Sequence, residues 1–375
     1  MAGLYIHIPF CRSKCIYCDF FSTPSAVWTD EYIDALNAEF ELRQNELNEP
    51  VRTIYIGGGT PSILSPQQRH RLIDFILNRV NLADVIEFTI EANPEDLNQA
   101  FINEVRAAGI NRVSIGVQTF NAESLKFINR RHSAERSVGA LELLRDSGLN
   151  YSADLIYGIP TDSFEDWEKS LCKMLSFRPP HISAYLLSFE PGTRLDAMRI
   201  TGKVKEIDDT EAQRRYSYLI SRCRDAGYEH YEISNFALPG CHAVHNSSYW
   251  EFRPYLGLGV SAHSFDGSVR RYNPSDIRKY IDVIGSGKSF AVIEDETELN
   301  RFNDMIITAL RTSRGLSVDD ISTRFGEEIV DEFIRDAKPL LDSGDLIISG
   351  DTCRMVIPEE RWLMSDAILR QLIQV

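Results

Sequence analysis

Long apolar runs are missing from this chain of 375 residues: no stretch reaches the roughly 18 apolar residues that read as a membrane-spanning helix. Positive charge is scarce as well. The chain carries 40 Lys and Arg against 55 Asp and Glu, a net of −15. That balance argues against nucleic acid, which attracts proteins with a basic footprint, and against anionic membrane surfaces. The start, Met1-Ala2-Gly3-Leu4-Tyr5-Ile6-His7, lacks a basic segment followed by a long apolar one, so no signal peptide is expected. Cysteine is sparse and odd in number, at seven. Without a leader, that count argues for a reducing cytoplasm rather than a disulfide framework. Low-complexity segments and internal repeats are absent. What is present, 43% hydrophobic and 25% charged residues, is an ordinary globular composition and excludes a disordered or fibrous chain.

The length suggests two or three domains, or one large barrel with an addition. Apolar, β-branched runs at Leu4–Phe10, Thr53–Ile56, Ile86–Ile90, Arg112–Val117, Tyr151–Tyr157 and His181–Leu187 read as strands. Helical patterns fill the gaps at Thr29–Leu47, Pro66–Val80, Asn98–Ala108, Ala134–Ser147 and Ser163–Ser176. Gly109 and Gly148 stand where helices should stop. Such alternation predicts an α/β fold with a parallel sheet, its strands apolar on both faces. Six units are fewer than a closed eight-stranded barrel needs, so a partial barrel over 1–190 is expected.

An α+β extension follows over 191–290, with a helix at Asp208–Ala226, strands at Glu229–Ile233 and Tyr255–Phe265, and a helix at Pro274–Gly285. The final segment, 291–375, predicts helices at Met305–Arg311, Val318–Phe325 and Ile329–Ser343. A hairpin, Asp345–Ser349 with Cys353–Ile357, turns at Gly350-Asp351. That is a small winged-helix-like unit. Its 18 acidic and 9 basic side chains speak against DNA as its partner.

Three of the seven cysteines fall within eight residues: Cys11, Cys15 and Cys18, spaced C-x3-C-x2-C. Thiolates are soft ligands suited to iron–sulfur clusters or zinc. A structural zinc site wants four ligands, and here Asp19, Phe20 and Phe21 follow in place of a fourth cysteine. A [4Fe–4S] cluster on three cysteines leaves one iron open for an exchangeable ligand. The triad follows the first strand, at the end where parallel barrels carry their chemistry. Cys172, Cys223, Cys241 and Cys353 have no assigned task.

This spacing, with Tyr17 before the third cysteine, resembles the radical S-adenosylmethionine superfamily. The resemblance implies that the open iron binds the methionine end of S-adenosyl-L-methionine, and that the reduced cluster cleaves it to a 5′-deoxyadenosyl radical. It also implies cofactor-binding groups at the other strand ends. The second strand leads into Gly57-Gly58-Gly59-Thr60-Pro61-Ser62, the third into Glu91-Ala92-Asn93-Pro94-Glu95, and the fourth ends in Gly116-Val117-Gln118-Thr119-Phe120. Arg130 and Arg131 come next, then Asp154 before Tyr157-Gly158-Ile159-Pro160, then Ser188–Thr193. The cofactor-binding set expected from the resemblance is Tyr5, Tyr17, Gly59, Thr60, Pro61, Glu91, Gln118, Arg130, Asp154, Ser188 and His263.

The matching phrases run nearly end to end and are most similar to the HemW proteins, relatives of the oxygen-independent coproporphyrinogen III oxidase HemN. The family implies a haem chaperone that passes haem to acceptor proteins. The oxidase, or another radical enzyme, is the alternative. Phe20 stands where the oxidase motif has a further cysteine, and no oxidase-like extension precedes Leu4. An electron donor for the cluster is an implied partner. His245-Asn246-Ser247-Ser248-Tyr249-Trp250 matches the family's H-N-x-x-Y-W signature, which makes His245, Asn246, Tyr249 and Trp250 the expected haem-binding residues. Histidine is a standard axial ligand, and Tyr and Trp offer flat faces to a porphyrin. His7, His242, His263 and Cys241 are alternative ligands. A histidine satisfied by hydrogen bonds in an aromatic core is the competing reading of His245.

Overall fold

The computed structural model describes residues 2–350 and 354–374. Six strands run parallel and side by side in chain order. They are β1 (Ala2–Ile8), β2 (Val51–Gly58), β3 (Glu87–Ala92), β4 (Arg112–Gln118), β5 (Asn150–Tyr157) and β6 (His181–Leu186). Between them lie α1 (Thr29–Arg43), α2 (Pro66–Leu77), α3 (Gln99–Ala107), α4 (Ala122–Phe127), α5 (Ala134–Ser147) and α6 (Phe164–Phe177). Local chemistry sets the helix ends. Ser65 with Gln68, and Ser163 with Asp166, form capping boxes, and Pro66 opens α2. Gly148 closes α5 in the left-handed conformation, as its position in the sequence predicts.

The strands are not apolar on both faces. Leu4, Ile6 and Ile8 of β1, Ile54 and Ile56 of β2, and Val113, Ile115 and Val117 of β4 join the core with Leu36, Phe40 and Leu72 of the helices. The alternate positions, among them Tyr5, Tyr55, Glu91, Ser114, Ser152, Asp154 and Ser183, line a cavity instead. Helices cover one face only, so the period-2 pattern of a half-covered sheet applies. Each fully buried aliphatic side chain in that shell contributes about 1.5–3 kcal/mol of burial energy.

The chain then extends both edges of the sheet. After α7 (Arg194–Ile200) and α8 (Asp209–Asp225), β7 (Glu229–Glu232) and β8 (Asn235–Ala237) form a hairpin whose second strand lies antiparallel to β6. Helix α9 (Val244–Trp250) crosses to the other edge, where β9 (Tyr255–Leu258) lies parallel to β1. Antiparallel strands β10 (His263–Phe265) and β11 (Arg270–Tyr272), then α10 (Ile277–Gly285) and β12 (Val292–Ile293), complete that side. The single strand expected over Tyr255–Phe265 is therefore two. The break falls at Gly259, at φ +93°, where the Gly259 and Val260 amides turn inward to Glu39 and Tyr32.

Glu39 ties that edge to the barrel. It is fully buried and accepts from Arg43 Nη1 (2.7 Å), Asn273 Nδ2 (2.7 Å), Tyr280 Oη (2.7 Å) and the Gly259 amide (2.8 Å). Arg43 spends its remaining donors on Glu46, the Gly257 carbonyl and Ser264 Oγ. All five of its N–H groups are thereby used.

The C-terminal unit has helices α11 (Glu298–Leu310), α12 (Val318–Phe325) and α13 (Glu327–Ser343) and a hairpin of β13 (Ile347–Ile348) and β14 (Met355–Val356). Asp351 of the expected Gly350-Asp351 turn, and Cys353 at the start of its second strand, lie outside the described residues. A 3-10 turn (Glu359–Met364) leads to α14 (Ser365–Leu369). Glu359 pairs with Arg224 and with His230 Nδ1 (2.7 Å), and the Trp362 ring meets the His230 ring at 4.4 Å between centroids. No described helix is long and apolar enough to cross a membrane.

Removing one partner from a satisfied buried ion pair leaves the other charge stranded. Glu39→Ala should therefore lower stability by about 3–5 kcal/mol in denaturant melts. A loss below about 1 kcal/mol, the range of exposed pairs, would show the pair to be dispensable.

Candidate functional site

The inward strand positions and the loop after β1 enclose a chamber of about 500 Å³ at the carboxyl ends of the strands. Cys11, Cys15 and Cys18 all line it. Hydrogen-bond donors stand against two of the sulfurs: Thr60 Oγ1 is 3.4 Å from Cys11 Sγ, and Arg130 Nη1 donates to Cys15 Sγ at 3.5 Å. Burial raises the Cys11 thiol and pushes Cys18 up to about 11. Thiolate ligation then requires a cationic group that draws the protons off. Among the described residues, no three His, Cys, Asp or Glu side chains converge on a single-ion site. A cubane puts each thiolate on a different iron, so three thiols spread around one chamber fit it better than they fit zinc.

Across from the thiols runs the glycine segment. Gly58 sits at φ +110°, and a Cβ there would lie 2.6 Å from the His7 ring. A Cβ on Gly59 would lie 2.8 Å from the Phe10 carbonyl and 3.0 Å from Cys11 Sγ. Glycine is what lets this backbone pass so close to the cysteine loop. Gln118 also has positive φ, +70°, where the β4–β5 register slips. A left-handed non-glycine residue on a cavity wall marks strain held by its surroundings.

The walls carry both signs of charge. Arg130 donates to Asn93 Oδ1 (2.7 Å) and to the Gly116 carbonyl (2.6 Å). Burial opposes its charge, but Tyr17, Cys15 and Glu95 hold it firmly protonated. Glu91 accepts from Tyr55 Oη (2.8 Å) and the Gly58 amide (3.0 Å). Burial lifts Glu91 to about 7 and Asp154 to about 6; hydrogen bonds from Tyr55 and Ser183, respectively, limit the rise. The chamber thus offers carboxylates, Glu91 and Asp154 among them, the Arg130 guanidinium, a glycine backbone segment and three thiols.

Of the residues expected from the sequence, Tyr5, Tyr17, Gly59, Thr60, Glu91, Gln118, Arg130, Asp154 and Ser188 line the chamber, and Asn246 joins them. Two do not. Pro61 is buried in the 3-10 turn behind Thr60, where it starts the turn rather than facing the cavity. His263 is 58% exposed on β10 and pairs with Glu294 at 3.2 Å, on the added edge of the sheet. Tyr55, Ser183 and Tyr185 line the chamber without having been singled out. Reading every second strand residue as inward would have found them.

His245, expected at the haem, lies in the core of the structure. Its ring has no solvent exposure, Nδ1 sits 2.9 Å from Thr53 Oγ1, and Nε2 sits 2.7 Å from Tyr249 Oη. The ring also stacks on Tyr55, with centroids 5.2 Å apart. Burial, with Arg112 nearby, lowers it to about 3, so it is a neutral core histidine. Glu87 fixes its backbone, accepting from the Val244 and His245 amides at 2.8 and 3.0 Å. His7 does face the barrel interior, between Tyr5 Oη (2.9 Å) and the Phe21 carbonyl (3.1 Å). His242 stacks on Tyr231 and pairs with Glu229. Cys241 is half-buried.

The raised carboxylates give a signed prediction. Folded Glu91 holds its proton up to about 7, whereas the unfolded chain releases it near the ordinary carboxylate range. Folding takes up a proton in that window, so stability falls as pH rises through it. The melting temperature of Glu91→Gln should decline less than that of the wild type between about pH 5 and about pH 8. Parallel curves would show Glu91 ionising as an ordinary acid.

The Radical SAM superfamily model matches residues 5–171. "Heme chaperone HemW" of Lactococcus lactis subsp. lactis is 35% identical over 325 residues, covering 86% of this chain and 84% of its own. The protein of that name from Bacillus subtilis is 34% identical over 352 residues, with 92% of each chain covered. The one from Mycobacterium tuberculosis H37Rv is 33% identical over 378 residues, covering 99% of this chain and 94% of its own. Among solved structures, coproporphyrinogen III oxidase (HemN) from Escherichia coli superposes with a TM-score of 0.83 at 24% identity, over 100% of this chain and 90% of that one; this likeness shows the shared fold. The partial six-stranded barrel, the three-cysteine chamber and these full-length relatives place the chain in the HemW family of the radical S-adenosylmethionine superfamily.

Proposed function

We propose that this protein is a cytoplasmic haem chaperone: it binds haem and passes it to acceptor proteins, and it carries a [4Fe–4S] cluster and S-adenosyl-L-methionine. The observation that carries this reading is the end-to-end likeness to proteins named heme chaperone. Cys11, Cys15 and Cys18 would hold the cluster. When bound, the cluster supplies an open iron for the cofactor's methionine end and an electron from an outside donor. The chain's own part is to bind, orient and exclude water. Arg130 offers a positive charge for the carboxylate of the methionine end and Glu91 a hydrogen-bonding carboxyl for its amino group, the Gly57–Gly59 segment offers backbone groups, and Asp154 offers an acceptor for ribose hydroxyls. Gln118, Tyr5, Tyr17 and Ser188 wall the same space.

The second reading, a porphyrinogen-decarboxylating oxidase, is supported by the likeness of fold alone. Against it stands Phe20 in place of the oxidase's further cysteine, an apolar side chain 63% exposed on the chamber's wall.

Anaerobically reconstituted protein should show iron–sulfur absorbance that the Cys11→Ala/Cys15→Ala/Cys18→Ala variant loses. Added haem should give a Soret band that decays when an apo-acceptor is supplied. Conversion of coproporphyrinogen III with loss of two carboxylates would replace the chaperone reading with the oxidase. His245→Ala should leave the Soret maximum in place while lowering the melting temperature, because the ring is a core element. A shifted maximum in a well-folded variant would restore it as a ligand.

A further inference from the structure

The loop that carries the three thiols is also an outer surface of the molecule, and it is tied to two other segments. The Ile16 amide donates to the Ile128 carbonyl (3.3 Å), and the Leu195 amide donates to the Ile16 carbonyl (2.9 Å). Asn129 Nδ2 donates to the Lys14 carbonyl (2.8 Å). Beneath these bonds Ile16, Ile128, Leu187 and Leu195 belong to a small apolar cluster separate from the main core. Val204 packs on its edge, which brings the exposed Lys203 and Lys205 beside it. The cysteine loop, the α4–α5 loop and α7 with the chain after it therefore form one surface.

That surface reverses the charge of the chain. Residues 11–20, 122–131 and 190–206 carry nine Lys and Arg against five Asp and Glu, whereas the whole chain carries 40 against 55. Arg130 turns into the chamber, Arg12 reaches Asp96 (3.5 Å), and Arg199 holds Asp196. Lys126, Arg131, Arg194, Lys203 and Lys205 are exposed and form no ion pair among the described residues. Two apolar side chains stand out among these cations: Phe20, whose carbonyl accepts from Lys14 Nζ, and Ile200, which is 72% exposed. Apolar contacts within a charged surround are the make-up of a docking surface.

Helices jacket the outside of the strands, but here the ligating loop is itself the surface, with Cys11, Cys15 and Cys18 only partly buried. We propose that this basic face docks a small acidic carrier protein with a one-electron flavin or iron–sulfur centre. The step moves a single electron: the carrier's centre loses it, the cluster on the three cysteines gains it, and no bond forms or breaks. The inference rests on the cluster named in the proposed function and is independent of haem. A local basic field speeds the encounter with an acidic partner, while the acidic surplus over the rest of the chain repels that partner from other approaches. Salt screens such steering over about 10 Å at about 0.1 M.

The test uses the anaerobically reconstituted full chain with reduced flavodoxin, a small acidic flavoprotein, as the probe. Photoreduced deazariboflavin, a small neutral reductant, runs in parallel. Bleaching of the cluster absorbance reports the electron, and calorimetry with oxidised flavodoxin reports binding. Arg194→Glu/Lys203→Glu/Lys205→Glu should slow reduction by flavodoxin about tenfold or more at about 0.05 M salt and weaken binding in parallel. The gap should close towards about 0.5 M salt, and deazariboflavin should reduce variant and wild type alike. Lys279→Glu/Lys288→Glu, at exposed positions in and after α10, should match the wild type throughout. Unchanged reduction by flavodoxin, an equal slowing with deazariboflavin, or an equal loss in the α10 variant would overturn the face. So would binding to phosphatidylglycerol vesicles that the triple reversal abolishes while flavodoxin binding persists, because the face would then belong to a membrane. A wild type that assembles no cluster would overturn the cluster reading itself.

Discussion

The architecture depends on an alternation along six parallel strands. Alternate residues are mostly aliphatic and face the helices, with Phe88, Tyr151 and Tyr157 among them; most of the residues between are polar, aromatic or glycine and face inward, Ile156 excepted. The hydrophobic core is therefore a shell between strands and helices, and the barrel interior is free to hold ligands. A fully packed barrel of layered aliphatic side chains would have no such space. The same alternation brings Glu91 and Asp154 into one chamber, and Arg130 enters it from the loop between α4 and α5.

An incomplete barrel must be closed at its gap and floor by other means, and here polar contacts do it. Glu39 and Arg43 bind the β9–β10 turn and α10 to α1, filling every hydrogen-bonding position of both charges. Glu87 receives the first amides of α9 and so hangs that helix inside the barrel, with Arg112 4.0 Å away. His245 then locks between Thr53 and Tyr249. Each of these groups links segments that are remote in sequence: Thr53 and His245 are 192 residues apart.

That remoteness decides what could be read from the sequence. Strand–helix alternation, the glycine caps and the three cysteines are local signals, and they located the barrel and the mouth of its chamber. The inward residues were only partly found, because the strands were taken as apolar throughout; Tyr5 and Tyr55, which are bulky and partly apolar, disguise the alternation. The fate of His245 was not legible. Its contact with Tyr249, four residues on, follows from helical spacing, but its partner on β2 and its stacking on Tyr55 do not. His263 is expected at the cofactor from the resemblance, with Tyr255–Phe265 read as one strand. The break at Gly259 carries it to the far edge instead.

An open sheet also has two edges, formed here by β12 and β7. Both are short: β12 has two residues and β7 four. Acidic side chains accompany them, Glu294 and Asp295 after β12 and the exposed Glu229 on β7. Unpaired strand edges are templates for the edge of another molecule, and brevity together with like charge discourages that pairing. The acidic surplus of this chain thus has a colloidal consequence: it lets a barrel remain unclosed, with room for its ligands, without inviting its copies to join sheet to sheet.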